Sequence, residues 1–305
     1  MDNYFEEEVR KALLRYNVYE INDLSDKVFD TVVVHSMIFA FSKNHLDNYG
    51  VRVSTSNNLD DIDTIIPSSY FFSQPQHAFL IRSYETHSLM TKLRKESIRL
   101  YDVLDIRQAI KSGNDKKYIT ETIGIKGDYQ PILRGKDVKK FSIVNPHLYL
   151  LYGKHLACPR SKEIFEQPKI LIREAGAEIT ATYDDKNFYI MSSLYNAILR
   201  DKSFSLKYVL GLLNSRLFQF LMNKLTFEKT KGAFTKAKIF HYYELPVKVC
   251  DWEKQQKIID IVDKILTAKK KNPMMTVDSL ELRLNSLVYE LYQLSKDEIK
   301  IVEGE

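Results

Sequence analysis

The stretch from residue 132 to residue 247 decides the fold, and it contains in order ILRGKDVKKF (132–141), QPKILIREAGAEITATYDD (167–185), YVLGLLNSRLFQFLMNK (208–224) and KGAFTKAKIFHYYELPV (231–247). The first segment places Gly135 in a basic turn. In the second, a continuous apolar run and an alternating run predict a pair of strands. The third repeats apolar residues at helical spacing, so we predict one amphipathic helix over 205–224. A Lys-rich loop and a final strand complete a mixed α/β module.

The N-terminal flank predicts a small α/β piece. Residues 3–16 have helical spacing, residues 18–24 alternate like a strand, and residues 28–41 form a β-rich run. These three elements are too few for a complete sheet. The following segment, 57–71, is polar and rich in turn residues, and we interpret it as a connector that breaks at Pro67.

The C-terminal flank predicts a helical hairpin, because residues 252–271 and 277–294 both repeat apolar side chains at helical spacing and a short turn joins them. We therefore predict an α+β protein in three parts. Residues 1–56 form the partial α/β piece, residues 57–250 the central mixed domain, and residues 251–305 the helical hairpin.

Composition narrows the class of protein. A chain of 305 residues with 44% hydrophobic residues can bury a core, which excludes global disorder. No apolar run reaches the roughly 18 residues that a membrane span needs. The two cysteines, Cys158 and Cys250, lie 92 positions apart without CxxC spacing, so we expect a cytoplasmic protein with neither a disulfide framework nor a zinc site.

Positive charge is concentrated in one segment. Residues 202–240 carry 8 Lys and Arg against 1 Glu, whereas residues 241–305 carry 10 against 12 Asp and Glu. A localised basic field is typical of a site for a polyanion. The alternative, a solvated Lys-rich surface, stays open on charge alone.

The sequence contains no catalytic motif. No glycines fit GxGxxG or GxxxxGK[ST], no GxSxG is present, and no two prolines are adjacent, which excludes an Asn-Pro-Pro-Tyr site. The seven histidines show neither HxH nor HxxxH spacing. We therefore predict no catalytic residue, no cofactor site and no metal site in this chain.

With no catalytic motif present, the remaining candidate function is binding. Lysines suit phosphate contacts, Arg can read guanine through two hydrogen bonds, and aromatic side chains between cations can stack on a base. Arg160 and Lys169 belong to the cations around the strand pair. The candidate contacts to a nucleic acid are Arg134, Lys136, Lys139, Lys140, Arg173, Lys229, Lys231, Phe234 and Lys236.

The four segments resemble, in order and spacing, the TaqI-like C-terminal specificity domain. This domain occurs in type II restriction-modification enzymes, including the fused type IIG enzymes, and in adenine-N6 DNA methyltransferases. The tail LNSLVYELYQLSKDEIKIVE (284–303) is similar to the C-terminal signature of the same proteins. VRKALLRYNVYEINDLSDKVFDTVVVHSMIFAFSKN (9–44) is similar to the last helix and strands of their methyltransferase domain.

This resemblance implies sequence-specific binding of double-stranded DNA by the specificity part of a restriction-modification enzyme. In the family, the S-adenosylmethionine motif and the Asn-Pro-Pro-Tyr motif precede this region, and neither is present here. We therefore expect a fragment, a truncated product or a separately encoded specificity part, which binds no cofactor itself and has a separate catalytic part as its partner.

Two alternatives remain open at this point. The chain is the C-terminal half of an active methyltransferase or endonuclease, complemented in trans by a catalytic subunit. Otherwise it is an interaction protein, whose C-terminal helices pair with a partner through the apolar faces at 258–266 and 280–291. Self-packing of those helices as a hairpin competes with this second alternative.

Overall fold

The computed structural model describes residues 4–25, 36–44, 46–54, 64–73, 77, 79, 81, 87–225 and 237–304. The chain divides into two compact units, residues 1–90 and residues 91–305. Both units combine helices with β-sheets, which confirms the predicted α+β class. The domain boundaries proposed from sequence, after residues 56 and 250, remain predictions.

The first unit contains one four-stranded sheet with strand order β2-β1-β3-β4. Strands β1 and β3 are parallel, and the other two pairings are antiparallel. Its helices and strands are α1 (Tyr4–Leu14), β1 (Asn17–Ser25), β2 (Ser36–Ser42), β3 (Gly50–Ser54), β4 (Thr64–Pro67) and α2 (Ser68–Ser73). A buried cluster that includes Val18, Ile21, Val51, Ile66 and Phe71 forms its core.

The structure corrects the prediction for residues 57–71. Residues 64–73 form β4 and α2 rather than a polar connector, because Ile66 pairs with Val51 and is fully buried. Pro67 is the last residue of an edge strand, where its missing N–H leaves no ladder hydrogen bond unmade. Residues 28–35 of the predicted β-rich run and residues 57–63 lie outside the described residues.

Helix α3 (His87–Arg94) spans the division, and the second unit continues with a longer series of elements. In its first half these are β5 (Ser97–Arg99), α4 (Leu100–Val103), β6 (Leu104–Gln108), α5 (Asp115–Tyr118), β7 (Ile119–Thr120), β8 (Tyr129–Leu133), β9 (Val138–Lys139), β10 (Ser142–Ile143), β11 (Leu148–Leu151) and β12 (Lys169–Arg173). In its second half they are β13 (Ala181–Asp184), β14 (Tyr189–Ile190), β15 (Leu194–Leu199), α6 (Leu206–Leu213), α7 (Arg216–Leu225), α8 (Ile239–Tyr243), β16 (Pro246–Lys248), α9 (Trp252–Lys271), α10 (Asp278–Leu291) and α11 (Lys296–Glu303).

Two four-stranded sheets build the centre of this unit, with strand orders β14-β8-β11-β7 and β13-β12-β15-β6. The continuous apolar runs at 147–153 and 169–174 each predict a buried strand. Both strands are present, as β11, which is mostly half-buried, and as the buried β12. Residues from both sheets, among them Leu133, Leu150, Leu171, Ile190 and Leu194, form one buried cluster, so the two sheets share a core. The pattern of residues 187–195 predicts a strand that leads into a helix, but β14 is followed by a second strand, β15, which pairs with a strand on each side.

The predicted helix over 205–224 is interrupted. Helix α6 ends at Leu213 and α7 begins at Arg216, because Asn214 and Ser215 make competing hydrogen bonds. The Asn214 side chain accepts from the Ala181 N–H (3.1 Å) and donates to the Ala181 carbonyl (2.9 Å), which ties the interruption to strand β13. Ser215 Oγ donates to the Leu212 carbonyl (2.7 Å). Short polar side chains of this kind favour breaks over helix interiors.

The C-terminal helices pack on this interrupted helix. Helix α9 packs on α6 and α10, which confirms the predicted hairpin. The Asn285 side chain in α10 accepts a hydrogen bond from the Arg216 N–H (2.9 Å) and so caps α7. The Tyr292 hydroxyl donates to the Pro246 carbonyl (2.6 Å) in β16. The hairpin is therefore part of the second unit rather than an appendage, and α11, which the sequence analysis did not separate, follows it.

Helix α3 is shorter than predicted. The spacing of apolar residues over 84–99 predicts one amphipathic helix, but α3 ends at Arg94, and Ser97–Arg99 instead form β5, which pairs with β16. Glu96 adopts a positive φ of 59°, a conformation that ends a right-handed helix.

Helices α6, α9 and α10 approach one another closely at Gly211. A Cβ at this position would lie 2.6 Å from Ile258 Cγ2 and 3.3 Å from Leu284 Cδ1. We expect Gly211→Ala to lower the free energy of unfolding by about 1–3 kcal/mol, because the overpacking exceeds the gain in helix propensity. Urea unfolding measures this, with Ser279→Ala on the exposed face of α10 as the control. An unchanged or increased stability of Gly211→Ala would contradict the close packing.

Candidate nucleic-acid interface

The predicted basic turn is a short 3-10 turn at Gly135–Asp137 that follows strand β8. The Arg134 N–H donates to the buried Asp137 carboxylate (2.7 Å), and the Gly135 N–H donates to Ser193 Oγ (2.8 Å). A Cβ on Gly135 would lie 3.2 Å from the Ser193 carbonyl oxygen. Glycine therefore permits the close approach of this turn to the turn at Ser192–Ser193, which joins β14 to β15.

A second turn, residues 112–115, meets the first through Asp115. Its carboxylate accepts a hydrogen bond from Arg134 Nη2 (3.1 Å) and another from the Ser112 hydroxyl. Gly113 has a φ of 79°, which a glycine adopts without strain. The Asn114 side chain accepts from the Lys117 N–H (3.2 Å) and caps α5.

These three polar turns surround an open groove of about 510 Å³. Its lining residues are Lys111, Ser112, Gly113, Asp115, Arg134, Met191, Ser192 and Ser193. Lys111 and Arg134 supply positive charge, and Asp115 orients Arg134. Hydroxyl groups beside cations provide donors for phosphate oxygens, so the groove has the chemistry of a phosphate site. We call it the turn groove.

The structure brings only part of the predicted set to the turn groove. Lys136 is exposed in the basic turn. Arg173 is half-buried at the end of β12, where the next residue, Glu174, donates its N–H to the Ser193 carbonyl (3.1 Å). Lys139 and Lys140 lie instead on the β9–β10 hairpin beside β13, and Lys140 pairs with Glu178 (2.9 Å).

The other predicted contacts lie outside the described residues. Lys229, Lys231, Phe234 and Lys236 fall in residues 226–236, which are not among the described residues. Their assignment stays a prediction that rests on the charge of residues 202–240.

Lys169 does not belong to a binding surface. Its ammonium group is fully buried, lies 2.5 Å from the Asp184 carboxylate and donates to the Phe165 carbonyl (2.6 Å). Burial lowers the pKa of Lys169, and the neighbouring Asp184 carboxylate opposes this shift. Grouping Lys169 with the surface cations was therefore wrong, because a sequence pattern does not show that an opposite charge lies across the strand pair.

A row of arginines that no sequence pattern predicted lies along β6, the edge strand of its sheet. Its members, spread over a hundred positions of the chain, are Arg99, Arg107, Arg160 and Arg200. The guanidinium carbons of Arg200 and Arg99 lie 4.3 Å and 5.3 Å from the centre of the Tyr101 ring. No local motif identifies such a row, because only the tertiary fold assembles it. Of the four, only Arg160 was grouped with the binding cations.

A second cavity, of about 360 Å³, opens beside this row, and we call it the β6 notch. Its lining residues are Ile106, Arg107, Gln108, Arg160, Ser161, Ile164 and Ile239. Arg107 donates from Nε (2.8 Å) and Nη2 (2.6 Å) to Asp105 Oδ2. These hydrogen bonds raise the pKa of Arg107.

No described helix combines the length and apolar composition that a membrane-spanning segment requires. No group of three or more described His, Cys, Asp or Glu side chains is arranged to hold a metal ion.

Comparison with known families identifies the part of the chain that carries the turn groove. Residues 130–247 match the family model of the TaqI-like C-terminal specificity domain. This match begins in β8 and ends in β16, so it includes the basic turn at Gly135 and the Ser192–Ser193 turn. It confirms the resemblance for this region. The turn at 112–115, the N-terminal unit and α9–α11 lie outside the match, and the similarity of residues 9–44 to a methyltransferase domain stays a prediction.

Several solved structures are similar to the chain. The type IIL restriction-modification enzyme MmeI, in a complex with DNA, is 11% identical with a TM-score of 0.51, and the alignment covers 95% of this chain and 45% of MmeI. The type IIG restriction endonuclease BpuSI is 12% identical with a TM-score of 0.43, covering 95% of this chain and 46% of BpuSI. The HsdS subunit from Thermoanaerobacter tengcongensis is 16% identical with a TM-score of 0.37, covering 75% and 60%.

The likeness to MmeI supports a shared fold and nothing finer at that identity. This chain spans about half the length of the two restriction enzymes. Curated protein sequences give no match.

Proposed function

We propose that the chain binds double-stranded DNA sequence-specifically, as the specificity part of a restriction-modification enzyme. The observation that carries this proposal is the match of residues 130–247 to the TaqI-like C-terminal specificity domain. The turn groove adds support of a different kind, because its basic turn and the Ser192–Ser193 turn bring a cation beside hydroxyl groups that can donate to phosphate oxygens.

The chemistry of the turn groove fits the DNA backbone. Lys111 and Lys136 are exposed, and no described carboxylate pairs with either side chain. Asp115 holds the Arg134 guanidinium in place, which limits the rotamer entropy that binding would cost. We assign phosphate contacts to Lys111, Arg134 and Lys136, and we keep Arg173 as a candidate beside them.

A catalytic part is the partner that this proposal implies. The chain carries no S-adenosylmethionine motif and no Asn-Pro-Pro-Tyr motif, so methyl transfer or cleavage would come from a separate part that also binds the cofactor. The specificity chain would then position that part on its DNA site, in the cytoplasm.

The interaction-protein alternative gains no support from the C-terminal helices. The apolar side chains that it requires at 258–266 and 280–291 are buried or half-buried in the second unit. Those that are buried include Ile258, Val262, Leu284 and Val288. The packing of α9 on α6, and of α10 on α9 and α7, accounts for this apolar pattern without a partner.

A salt titration tests the turn groove. We expect the double variant Lys111→Gln/Lys136→Gln to bind a duplex more weakly and to reduce the slope of log affinity against log salt by about 2, because each phosphate contact contributes about 0.9. Fluorescence anisotropy of a labelled duplex between roughly 0.05 and 0.2 M salt measures both quantities.

The matched control removes the same formal charge from the exposed surfaces of α9 and α11 with Lys264→Gln/Lys296→Gln. It should leave the slope near that of the unmodified chain. Equal slopes for the two double variants would contradict the assignment of the turn groove to DNA.

A further inference from the structure

The β6 notch lies on an edge strand whose outer backbone is already hydrogen-bonded. The Tyr243 hydroxyl accepts from the Ile106 N–H (3.1 Å) and donates to the Ile106 carbonyl (3.0 Å). Arg160 Nε donates to the Ala109 carbonyl (3.3 Å). These side chains bond to backbone groups that another strand would need for pairing. A ligand at this edge would therefore meet the side chains of β6 rather than unpaired backbone groups.

Arg107 projects from this edge as an oriented fork. Its Nε and Nη2 atoms both bond to Asp105 Oδ2, and half of the side chain (51%) is exposed. Asp105 Oδ1 also lies 3.7 Å from Arg200 Nη2, so the carboxylate is held between two arginines. No described group bonds to Nη1 of Arg107, and Nη2 keeps a second hydrogen. This end of the planar guanidinium can donate to two acceptors side by side, as on the O6/N7 edge of guanine.

Gln108 is the next residue and is also exposed, because β6 has no neighbouring strand on its outer side. Its amide makes no hydrogen bond to any described side chain or backbone group. An amide offers one acceptor and two donors, the combination that fits the N6/N7 edge of adenine. Successive side chains of a strand point to opposite faces of the sheet, but β6 is an edge strand, and Arg107 and Gln108 both line the β6 notch. The notch therefore presents the two side-chain types that discriminate purines in the major groove.

Arg160 also lines the notch. Its carbonyl accepts from the Tyr152 hydroxyl (2.6 Å), and its backbone has a positive φ of 61°. The Arg160 guanidinium pairs with no described carboxylate, so its charge is not neutralised as that of Arg107 is. The notch and the turn groove also share one chain segment, since residues 106–108 line the first and residues 111–115 line the second.

We propose that Arg107 and Gln108 read base edges in the major groove of DNA, and that Arg160 holds a phosphate beside them. This inference rests on the proposed DNA-binding function and adds the residues that determine specificity. The turn groove then supplies backbone contacts, while the β6 notch supplies the sequence-dependent ones. The two roles predict different effects of substitution.

The test is selection from a random duplex pool, carried out with the full chain and with Arg107→Lys and Gln108→Ala. Arg107→Lys keeps the charge but loses the fork, so the salt slope should stay unchanged. We expect it to lower the preference at one G·C position of the selected motif about tenfold. Gln108→Ala should relax a neighbouring A·T position by a similar factor. The matched control is Arg283→Lys on the exposed face of α10, which should return the unmodified motif.

The outcomes separate this inference from the function on which it rests. If the unmodified chain enriches a motif and both variants return that motif with unchanged preferences, base reading by β6 is wrong while DNA recognition stands. If the unmodified chain enriches nothing, the proposed function fails and this inference fails with it. Thermal unfolding of each variant checks that the fold is retained. Because Arg107 and Gln108 are both exposed, each substitution tests base reading separately.

Discussion

Replacing Lys169 by methionine is expected to lower the free energy of unfolding by about 3–5 kcal/mol. The Lys169 ammonium group and the Asp184 carboxylate are both fully buried and lie 2.5 Å apart across strands β12 and β13. Removing the ammonium leaves the Asp184 charge buried without its cationic partner. Two backbone N–H groups, of Lys186 (2.8 Å) and Phe188 (3.0 Å), still donate to that carboxylate, but they do not neutralise it.

Urea unfolding followed by circular dichroism gives the size of this effect. The double variant Lys169→Met/Asp184→Asn removes both charges and should recover about 2 kcal/mol of the loss, because the remaining amide is neutral and can still accept a backbone hydrogen bond. Lys186→Met, whose side chain is 64% exposed, is the control and should change stability by less than about 0.5 kcal/mol. A loss under about 1 kcal/mol for Lys169→Met would contradict a buried, charged pair at this position.

The second large effect concerns the Lys-rich segment before α8. Reversing two charges with Lys231→Glu/Lys236→Glu is expected to weaken duplex binding about 100-fold near 0.1 M salt, because two phosphate contacts are lost and two carboxylates then repel the backbone. The basis is the sequence, in which residues 202–240 carry 8 Lys and Arg against 1 Glu. The salt slope should fall by about 2 in the same titration.

Lys264→Glu/Lys296→Glu provides the matched control, since it changes the net charge by the same amount on helices α9 and α11. A general charge effect would weaken binding equally in both double variants. An unchanged affinity and slope in Lys231→Glu/Lys236→Glu would show that this segment does not contact DNA.

The sequence predicted those elements whose pattern is set by local burial. Strand β12 follows from the continuous apolar run at Ile170–Ile172, and helices α9 and α10 follow from apolar residues at helical spacing. The break between α6 and α7 could not be predicted in this way, because Asn214 bonds to Ala181, which lies 33 positions earlier in the chain. Periodicity continues across the break, so the local pattern alone favours one helix.

The candidate binding residues show the same difference between local and tertiary signals. Arg134 and Lys136 were identified because a glycine turn flanked by cations is a local signal. The structure places Arg134 in the lining of the turn groove and leaves Lys136 exposed in the basic turn, outside that lining. Arg107 and Gln108 gave no such signal, since an exposed pair on a short strand is unremarkable until β6 proves to be an edge. Sequence likewise cannot separate Lys169 from the surface lysines, because its partner Asp184 is recognised only from the strand pairing.

The most direct measurement of the central claim is selection by the purified chain from a random-sequence duplex pool at two salt concentrations. Phosphate contacts weaken steeply with salt, whereas contacts to base edges discriminate between sequences at either concentration. If the chain is a DNA specificity domain, one short motif should be enriched and should persist at the higher salt. Binding that disappears at higher salt without enrichment of any motif, or no binding at all, would contradict sequence recognition by this chain.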